Sequence, residues 1–144
     1  SERAALGAVF PHCRYVHVRR RDVDRQAVSW AVAEATGRWG DRGEGDRPPE
    51  VAYDFKAIED CRRRIVAGDA CWRALFRAVD TVPLEVVYED LVADYRATVA
   101  AVAAYLGVAL RPSQVSPPRL RQQAGEGSER LVARYRSDRH ARGD

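Results

Sequence analysis

Residues 15–29 read Tyr-Val-His-Val-Arg-Arg-Arg-Asp-Val-Asp-Arg-Gln-Ala-Val-Ser, and they predict a β-strand that passes directly into an α-helix. The run 15–18 is rich in residues that favour strands. Asp22 stands where a helix N-cap belongs, and residues 23–36 contain neither Gly nor Pro until Gly37 closes the element. We therefore expect a strand, a short connection and a helix in this order.

The same strand-then-helix unit is predicted a second time. Pro83 precedes the β-rich run Leu84-Glu-Val-Val-Tyr88, and apolar residues then recur at helical spacing as one helix up to Gly107. Strands that alternate with helices indicate an α/β fold with a parallel sheet. Two strands are too few to complete such a sheet, and the chain opens on Ser1 and contains no Met. We therefore expect residues 1–144 to be the C-terminal part of a single larger domain, mostly helical in this part.

Helical segments account for most of the remaining sequence. A long helix is predicted from Asp54, with an apolar stripe along one face formed by Ile58, Cys61, Ile65, Gly68, Trp72, Leu75 and Val79. Residues 2–10 are interpreted as the end of an earlier helix, and residues 37–49 as a loop. Ser128 is expected to cap a last helix that frays after Arg136. Trp30 and Trp72 are expected in the core.

The charge composition indicates an anionic ligand. Lys and Arg together number 24 against 21 acidic residues, and every basic residue of this group except Lys56 is Arg. Guanidinium groups bind phosphate or sulfate in a planar two-pronged geometry, which favours discrete anion sites over a diffuse basic surface. GC-rich codon usage is an alternative source of the Arg excess, and composition does not separate the two.

Several function classes are not supported by the sequence. Nucleic-acid binding is not expected, because Glu59, Asp60 and Asp69 break up the basic surface around the arginine run 62–64. No apolar run is long enough to span a bilayer and the first residues do not resemble a signal peptide, so we expect a soluble, cytoplasmic chain. Neither a disulfide framework nor a metal site is predicted from the scattered residues Cys13, Cys61, Cys71, His12, His17 and His140.

The arginines at 19–21 form a candidate anion site. Ligands of open parallel sheets bind at the carboxyl ends of strands, and a helix N-terminus offers unpaired backbone N–H groups. Ser29 lies seven residues after Asp22, near the same helical face, and its hydroxyl can donate to the same anion. The alternative is that these arginines pair with Asp22 and Asp24 and that Ser29 is an ordinary helix serine.

These residues resemble the trehalose 2-sulfotransferase-like family of sulfotransferases, in which the strand-to-helix turn has the pattern His-Val-x-Arg-x-Asp followed by Gln-Ala-Val-Ser. The pattern is matched at His17, Val18, Arg20, Asp22, Gln26, Ala27, Val28 and Ser29. The similarity continues over nearly the whole chain, through Ala35-Thr36, Trp39, Tyr53-Asp54, Ile65, Trp72, Phe76, Pro83-Leu84, Val87-Tyr88, Gln123-Ala124, Ser128 and Arg134-Tyr135.

The resemblance implies a P-loop-like α/β fold and an enzyme that uses 3′-phosphoadenosine 5′-phosphosulfate as sulfuryl donor, with no metal. The implied acceptor is a hydroxyl of a carbohydrate or glycolipid. Arg20 and Ser29 would bind the 3′-phosphate of the donor, with Arg19, Arg21 and Arg121 as further cofactor-binding residues. Trp39 would contact the acceptor, although an anchor for its loop is an equal alternative. Members of such a family are expected to form homodimers.

The sequence departs from the family pattern at two places. The Gly-, Ser- and Thr-rich loop that binds the 5′-phosphosulfate, and the general base after it, have no counterpart here, so no catalytic residue is assigned. Gln122 stands where the family presents an Arg, and Arg119 or Arg121 could replace that contact. A non-catalytic anion- or nucleotide-binding module is therefore the alternative to a sulfotransferase.

Overall fold

The computed structural model describes residues 13–37, 39, 51–118 and 126–143. The chain divides into two compact units, one formed by residues 1–21 and 68–118 and the other by residues 22–67 and 119–144. The predicted helix end at 2–10, most of the loop 37–49 and the segment containing Arg119, Arg121 and Gln122 lie outside the described residues.

The first unit contains a parallel pair of strands. Strand β1 spans Val16–Arg19 and strand β2 spans Leu84–Val87, with Val16 opposite Leu84 and Arg19 opposite Val87. The predicted parallel arrangement of the two strands is thus confirmed, and the mixture of helices with a small parallel sheet agrees with the α/β class. The register brings the carboxyl ends of both strands to the same edge, which places the residues that follow them side by side.

His17 is a core residue of this unit. Its side chain is buried on β1, and its ring centroid lies 5.4 Å from that of Phe76. Its Nε2 atom lies 3.4 Å from a carboxylate oxygen of Asp69, which also pairs with Arg73. Burial against an aromatic ring and an acid explains why a histidine is accommodated within a strand.

The helix predicted between the second strand and Gly107 is instead two helices. Helix α3 spans Tyr88–Ala93 and helix α4 spans Tyr95–Tyr105. Asp94 separates them, because its side chain accepts a hydrogen bond from the backbone N–H of Ala97 and caps α4. The apolar spacing continues across this break, which is why periodicity alone predicted one helix. A short 3₁₀ turn follows at Pro112–Gln114.

Helix α1 of the second unit has the predicted bounds. It spans Val23–Thr36, with Asp22 as N-cap and Gly37 as C-cap at φ 66°. The Asp22 carboxylate accepts from the backbone N–H of Arg25 at 3.0 Å, which satisfies one of the unpaired donors of the first turn. Helix α2 spans Phe55–Ala78, of which residues 55–67 belong to this unit.

The core of the second unit is formed by three helices. Helix α5 spans Glu126–Arg142 and packs against α1. The fully or nearly fully buried side chains are Ala27, Val28, Ile58, Cys61, Val132 and Tyr135. Tyr135 is entirely buried and donates from its hydroxyl to Glu59 on α2. Burial, together with this hydrogen bond, raises the pKa of Tyr135.

Three further expectations about the helices were wrong. Helix α5 begins at Glu126, so Ser128 lies inside it and does not cap it. Helix α5 does not fray after Arg136 but continues to Arg142. Polar contacts hold its second half, since Asp138 accepts a 2.7 Å hydrogen bond from the Tyr53 hydroxyl and Arg142 stacks on Phe55. Trp72 is not a core residue, because 52% of it is exposed. It stacks on the buried ring of Phe76 at 6.1 Å and leaves its other face open.

Candidate anion-binding site

Three consecutive arginines leave the carboxyl end of β1, and each contacts a different part of the segment that contains β2 and the start of α3. Arg19 is the last residue of the strand, and its Nε atom donates to the carboxylate of Glu85 on β2 at 3.1 Å. Both side chains are partly exposed, so this ion pair contributes little to stability. The pair holds the Arg19 guanidinium beside Glu85 on the neighbouring strand.

Arg20 stacks on an aromatic ring. Its guanidinium carbon lies 3.9 Å from the centroid of Tyr88, which is the first residue of α3. This distance is well within the roughly 6 Å range of a cation–π contact. The contact follows from the register. Arg19 lies opposite Val87, so the residues that directly follow the two strands, Arg20 and Tyr88, are neighbours.

Arg21 is held by two acids in the first turn of α3. Its guanidinium donates to both oxygens of Asp90, at 2.9 and 3.1 Å. Its backbone N–H donates to a carboxylate oxygen of Glu89 at 2.9 Å. Acids are favoured in the first turn of a helix, and here both also bind Arg21.

The three side chains differ in what remains of their hydrogen-bonding capacity. Arg19 and Arg21 each donate to a carboxylate, whereas the described part of the chain shows no carboxylate that accepts from Arg20. A guanidinium over the face of a ring is attracted to it without giving up its N–H donors to paired hydrogen bonds. Among these three arginines, Arg20 is therefore the one best prepared to bind an added anion.

The acids at the start of α1 bind other arginines of the second unit. Asp24 pairs with Arg62 on α2 and with Arg136 on α5. Arg136 also donates two hydrogen bonds to Asp22, and Arg25 pairs with Glu129. Asp24 is thus bound by arginines of α2 and α5.

These contacts lower the pKa of the Asp22 carboxyl group, which caps α1. Burial alone would raise the pKa of Asp22, but the backbone N–H of Arg25 and the guanidinium of Arg136 outweigh it and hold that pKa below its ordinary value. The carboxylate is therefore ionised at neutral pH and acts as a fixed acceptor, not as a proton donor.

Ser29 and Trp39 both present exposed side chains. Ser29 lies on α1 in the second unit, and Arg20 belongs to the first. Trp39 follows the C-cap of α1 by two residues and is 68% exposed. Arg121 lies outside the described residues.

Sequence reasoning missed the role of four residues, Glu85, Tyr88, Glu89 and Asp90. The signal that could have found them is the parallel register itself, since two strands of similar length that end together place the residues after them in contact. No group of residues suited to a metal ion occurs within the described ranges. None of the helices in those ranges is long and apolar enough to cross a membrane.

Comparison with known proteins identifies related sequences. The sequence profile of the Stf0 sulphotransferase family matches residues 1–138. Trehalose 2-sulfotransferase of Mycobacterium tuberculosis (strain ATCC 35801 / TMC 107 / Erdman) is 32% identical over 124 residues, which are 86% of this chain and 46% of that protein. Trehalose 2-sulfotransferase of Mycolicibacterium smegmatis is 32% identical over 123 residues, 85% of this chain and 45% of that protein. The chain spans about half the length of these curated relatives.

Proposed function

This chain belongs to the Stf0 sulphotransferase family, and on that premise we propose that it contributes the 3′-phosphate site of an enzyme that transfers a sulfuryl group from 3′-phosphoadenosine 5′-phosphosulfate. The proposed acceptor is a hydroxyl of a carbohydrate or glycolipid, and the relatives, which are trehalose 2-sulfotransferases, support the carbohydrate. We also infer a P-loop-like arrangement of the complete sheet. A non-catalytic anion-binding module is not favoured, because the relatives that support the family are transferases.

The proposed reaction is an in-line displacement at sulfur. The bond between sulfur and the bridging oxygen of the donor breaks as the acceptor oxygen bonds to sulfur, and the acceptor proton passes to a base. Adenosine 3′,5′-bisphosphate is the nucleotide product. No residue of this chain is assigned to the proton transfer, so its share of the work is to bind and orient the donor.

Arg20 is the proposed ligand of the 3′-phosphate. The observation that carries this assignment is the Arg20 guanidinium over the ring of Tyr88, whose N–H groups donate to no carboxylate among the described residues. A phosphate dianion is well matched to that edge, because two parallel N–H donors can bind two of its oxygens. Arg19 and Arg21 add positive charge beside it, although their guanidiniums are already bound to Glu85 and Asp90.

Ser29 and Arg121 are the proposed further ligands of the donor. Ser29 follows Arg20 along the chain on the first turns of α1 and presents an exposed hydroxyl, which can donate to a phosphate oxygen. Arg121 is proposed to approach the nucleotide from the segment that precedes α5. Both assignments rest on the family pattern and on residue type.

Trp39 is the proposed acceptor contact. An exposed indole ring can stack on the apolar face of a sugar, and 68% of Trp39 is available to do so. Trp39→Ala is then expected to raise the KM for the acceptor while leaving donor affinity unchanged. An unchanged acceptor KM would remove Trp39 from the site.

The assignment of Arg20 is tested by nucleotide affinity in the complete protein. Arg20→Ala should weaken binding of adenosine 3′,5′-bisphosphate at least tenfold, because a charge-assisted hydrogen bond is worth about 1.5 to 3 kcal/mol. Binding of 5′-AMP, which lacks the 3′-phosphate, should change far less. Arg73→Ala is the matched control, since Arg73 pairs with Asp69 on α2 and its loss should affect neither nucleotide. Equal losses for both nucleotides in Arg20→Ala would refute the assignment.

A further inference from the structure

Tyr88 contacts the proposed donor site through the side chain of Arg20. It is the first residue of α3, it is half-buried, and its ring lies under the guanidinium of Arg20 at 3.9 Å. Resting on the proposed role of Arg20, we propose that Tyr88 is a positioning residue that holds the Arg20 guanidinium in the orientation that binds the 3′-phosphate.

The backbone on both sides of Arg20 is fixed by the same segment that carries Tyr88. On one side the strand ladder sets Arg19 opposite Val87. On the other side the N–H of Arg21 donates to the Glu89 carboxylate at 2.9 Å. The Cα atom of Arg20 is therefore constrained, and the remaining freedom lies in its long side chain.

The ring of Tyr88 removes much of that side-chain freedom before any ligand arrives. An arginine side chain has many rotamers, and binding an anion normally costs the entropy of selecting one. Stacking on a ring selects a plane for the guanidinium while leaving its in-plane donors available. Such preorganisation increases affinity for the anion without any contact between the ring and the ligand.

The neighbouring ion pairs keep the N–H donors of Arg20 available for a phosphate. Glu85 binds Arg19 and Asp90 binds Arg21, so the acids of this segment are occupied by the arginines on either side. An aromatic ring at position 88 attracts the Arg20 guanidinium through its face but cannot accept the paired hydrogen bonds that a carboxylate would. A carboxylate at this position would bind the donors that the phosphate needs. The uncharged ring thus holds Arg20 without competing for its ligand.

The test compares two substitutions at position 88 in the complete protein. Tyr88→Leu removes the ring, and Tyr88→Phe keeps it while removing the hydroxyl. The readout is the discrimination ratio, which is the affinity for adenosine 3′,5′-bisphosphate divided by that for 5′-AMP, measured by calorimetry. We expect Tyr88→Leu to lower this ratio roughly threefold to tenfold, as for loss of a partly buried cation–π contact, and Tyr88→Phe to keep it within about twofold.

A double-substitution cycle identifies the residue through which Tyr88 acts. If the ring works through Arg20, adding Tyr88→Leu to Arg20→Ala should lower the discrimination ratio no further. Tyr15→Leu is the matched control, because Tyr15 precedes the other end of β1, where its ring packs edge-on against Phe76. That control should lower thermal stability and leave the ratio unchanged. If Tyr88→Leu does not fold, Tyr88→Met replaces it in the same cycle.

The outcomes separate this inference from the function on which it rests. An unchanged ratio in Tyr88→Leu, with a collapsed ratio in Arg20→Ala, would overturn the role of Tyr88 and leave the 3′-phosphate site intact. Equal loss of both nucleotides in Tyr88→Leu would also overturn it, because the ring would then support the nucleoside or the fold. An unchanged ratio in Arg20→Ala would instead refute the proposed function.

Discussion

The guanidinium of Arg136 donates hydrogen bonds of 2.7 and 2.8 Å to the two carboxylate oxygens of Asp22. Asp22 is the N-cap of α1, and Arg136 lies near the middle of α5. The Asp22 carboxylate therefore caps α1, the helix that carries Ser29, and also binds α5 through Arg136. This arrangement gives the residue before the helix a structural role that is separate from any ligand.

Substitution of Asp22 should separate its two contributions. Asp22→Ala removes the cap and the ion pair, and we expect it to lower the free energy of unfolding by about 1 to 2 kcal/mol. Asp22→Asn keeps a side-chain oxygen for the N–H of Arg25, so its cost should be about 0.5 kcal/mol. Urea unfolding followed by circular dichroism measures both. Equal costs for the two variants would show that capping is not a significant part of the role of Asp22.

Stability should fall in acid. Among the residues that the structure describes, three carboxyl groups have pKa values below their ordinary range: Asp22, where hydrogen bonds outweigh burial, Glu34, which is bound by Arg64, and Glu129, which is bound by Arg25. A lowered pKa in the folded state means that the contribution is complete above the unfolded pKa, near 4, and is lost as the pH falls through the folded value. The urea midpoint should therefore be level from pH 7 to about 5 and decrease below about pH 4.

The Asp22→Asn variant provides the control for this pH dependence. It has no carboxyl group at the cap, so its urea midpoint should decline less between pH 4 and pH 2 than that of the unaltered protein. Parallel declines in the two proteins would show that the Asp22 pKa is not lowered on folding.

Two Gly-to-Ala substitutions should have opposite signs. Gly37 caps α1 with φ 66°, a conformation that L side chains adopt only at a cost, so Gly37→Ala should destabilise by about 1 kcal/mol. Gly68 lies inside α2, where an added Cβ would meet no atom within 4 Å, so Gly68→Ala should stabilise by about 0.5 to 1 kcal/mol. Denaturation midpoints of both variants check this. A stabilising Gly37→Ala would contradict the left-handed cap.

Local signals explain which elements could be predicted from the sequence. The bounds of α1 follow from Asp22 and Gly37, whose capping roles depend only on neighbouring residues. The parallel pairing of the strands follows from the strand-helix alternation around residues 15–18 and 84–88. The break at Asp94 was missed because a side chain that caps a new helix does not interrupt the apolar spacing.

Long-range contacts explain what could not be predicted. The end of α5 is held by Tyr53 and Phe55. Tyr53 precedes its partner Asp138 by 85 residues, and no local pattern predicts such contacts. Burial raises the pKa of Tyr53, and its hydrogen bond to Asp138 adds to the shift, to about 12. At the candidate site the arginines were expected from their position, but the ring beneath Arg20 depends on the strand register, which was not predicted from the sequence.

The proposal that Arg20 and Ser29 bind one phosphate is tested most directly by a crystal structure of the complete protein with adenosine 3′,5′-bisphosphate. We predict 3′-phosphate oxygens within about 3.2 Å of both a guanidinium nitrogen of Arg20 and the Oγ atom of Ser29. A 3′-phosphate bound elsewhere, or one that contacts neither side chain, would contradict the proposal.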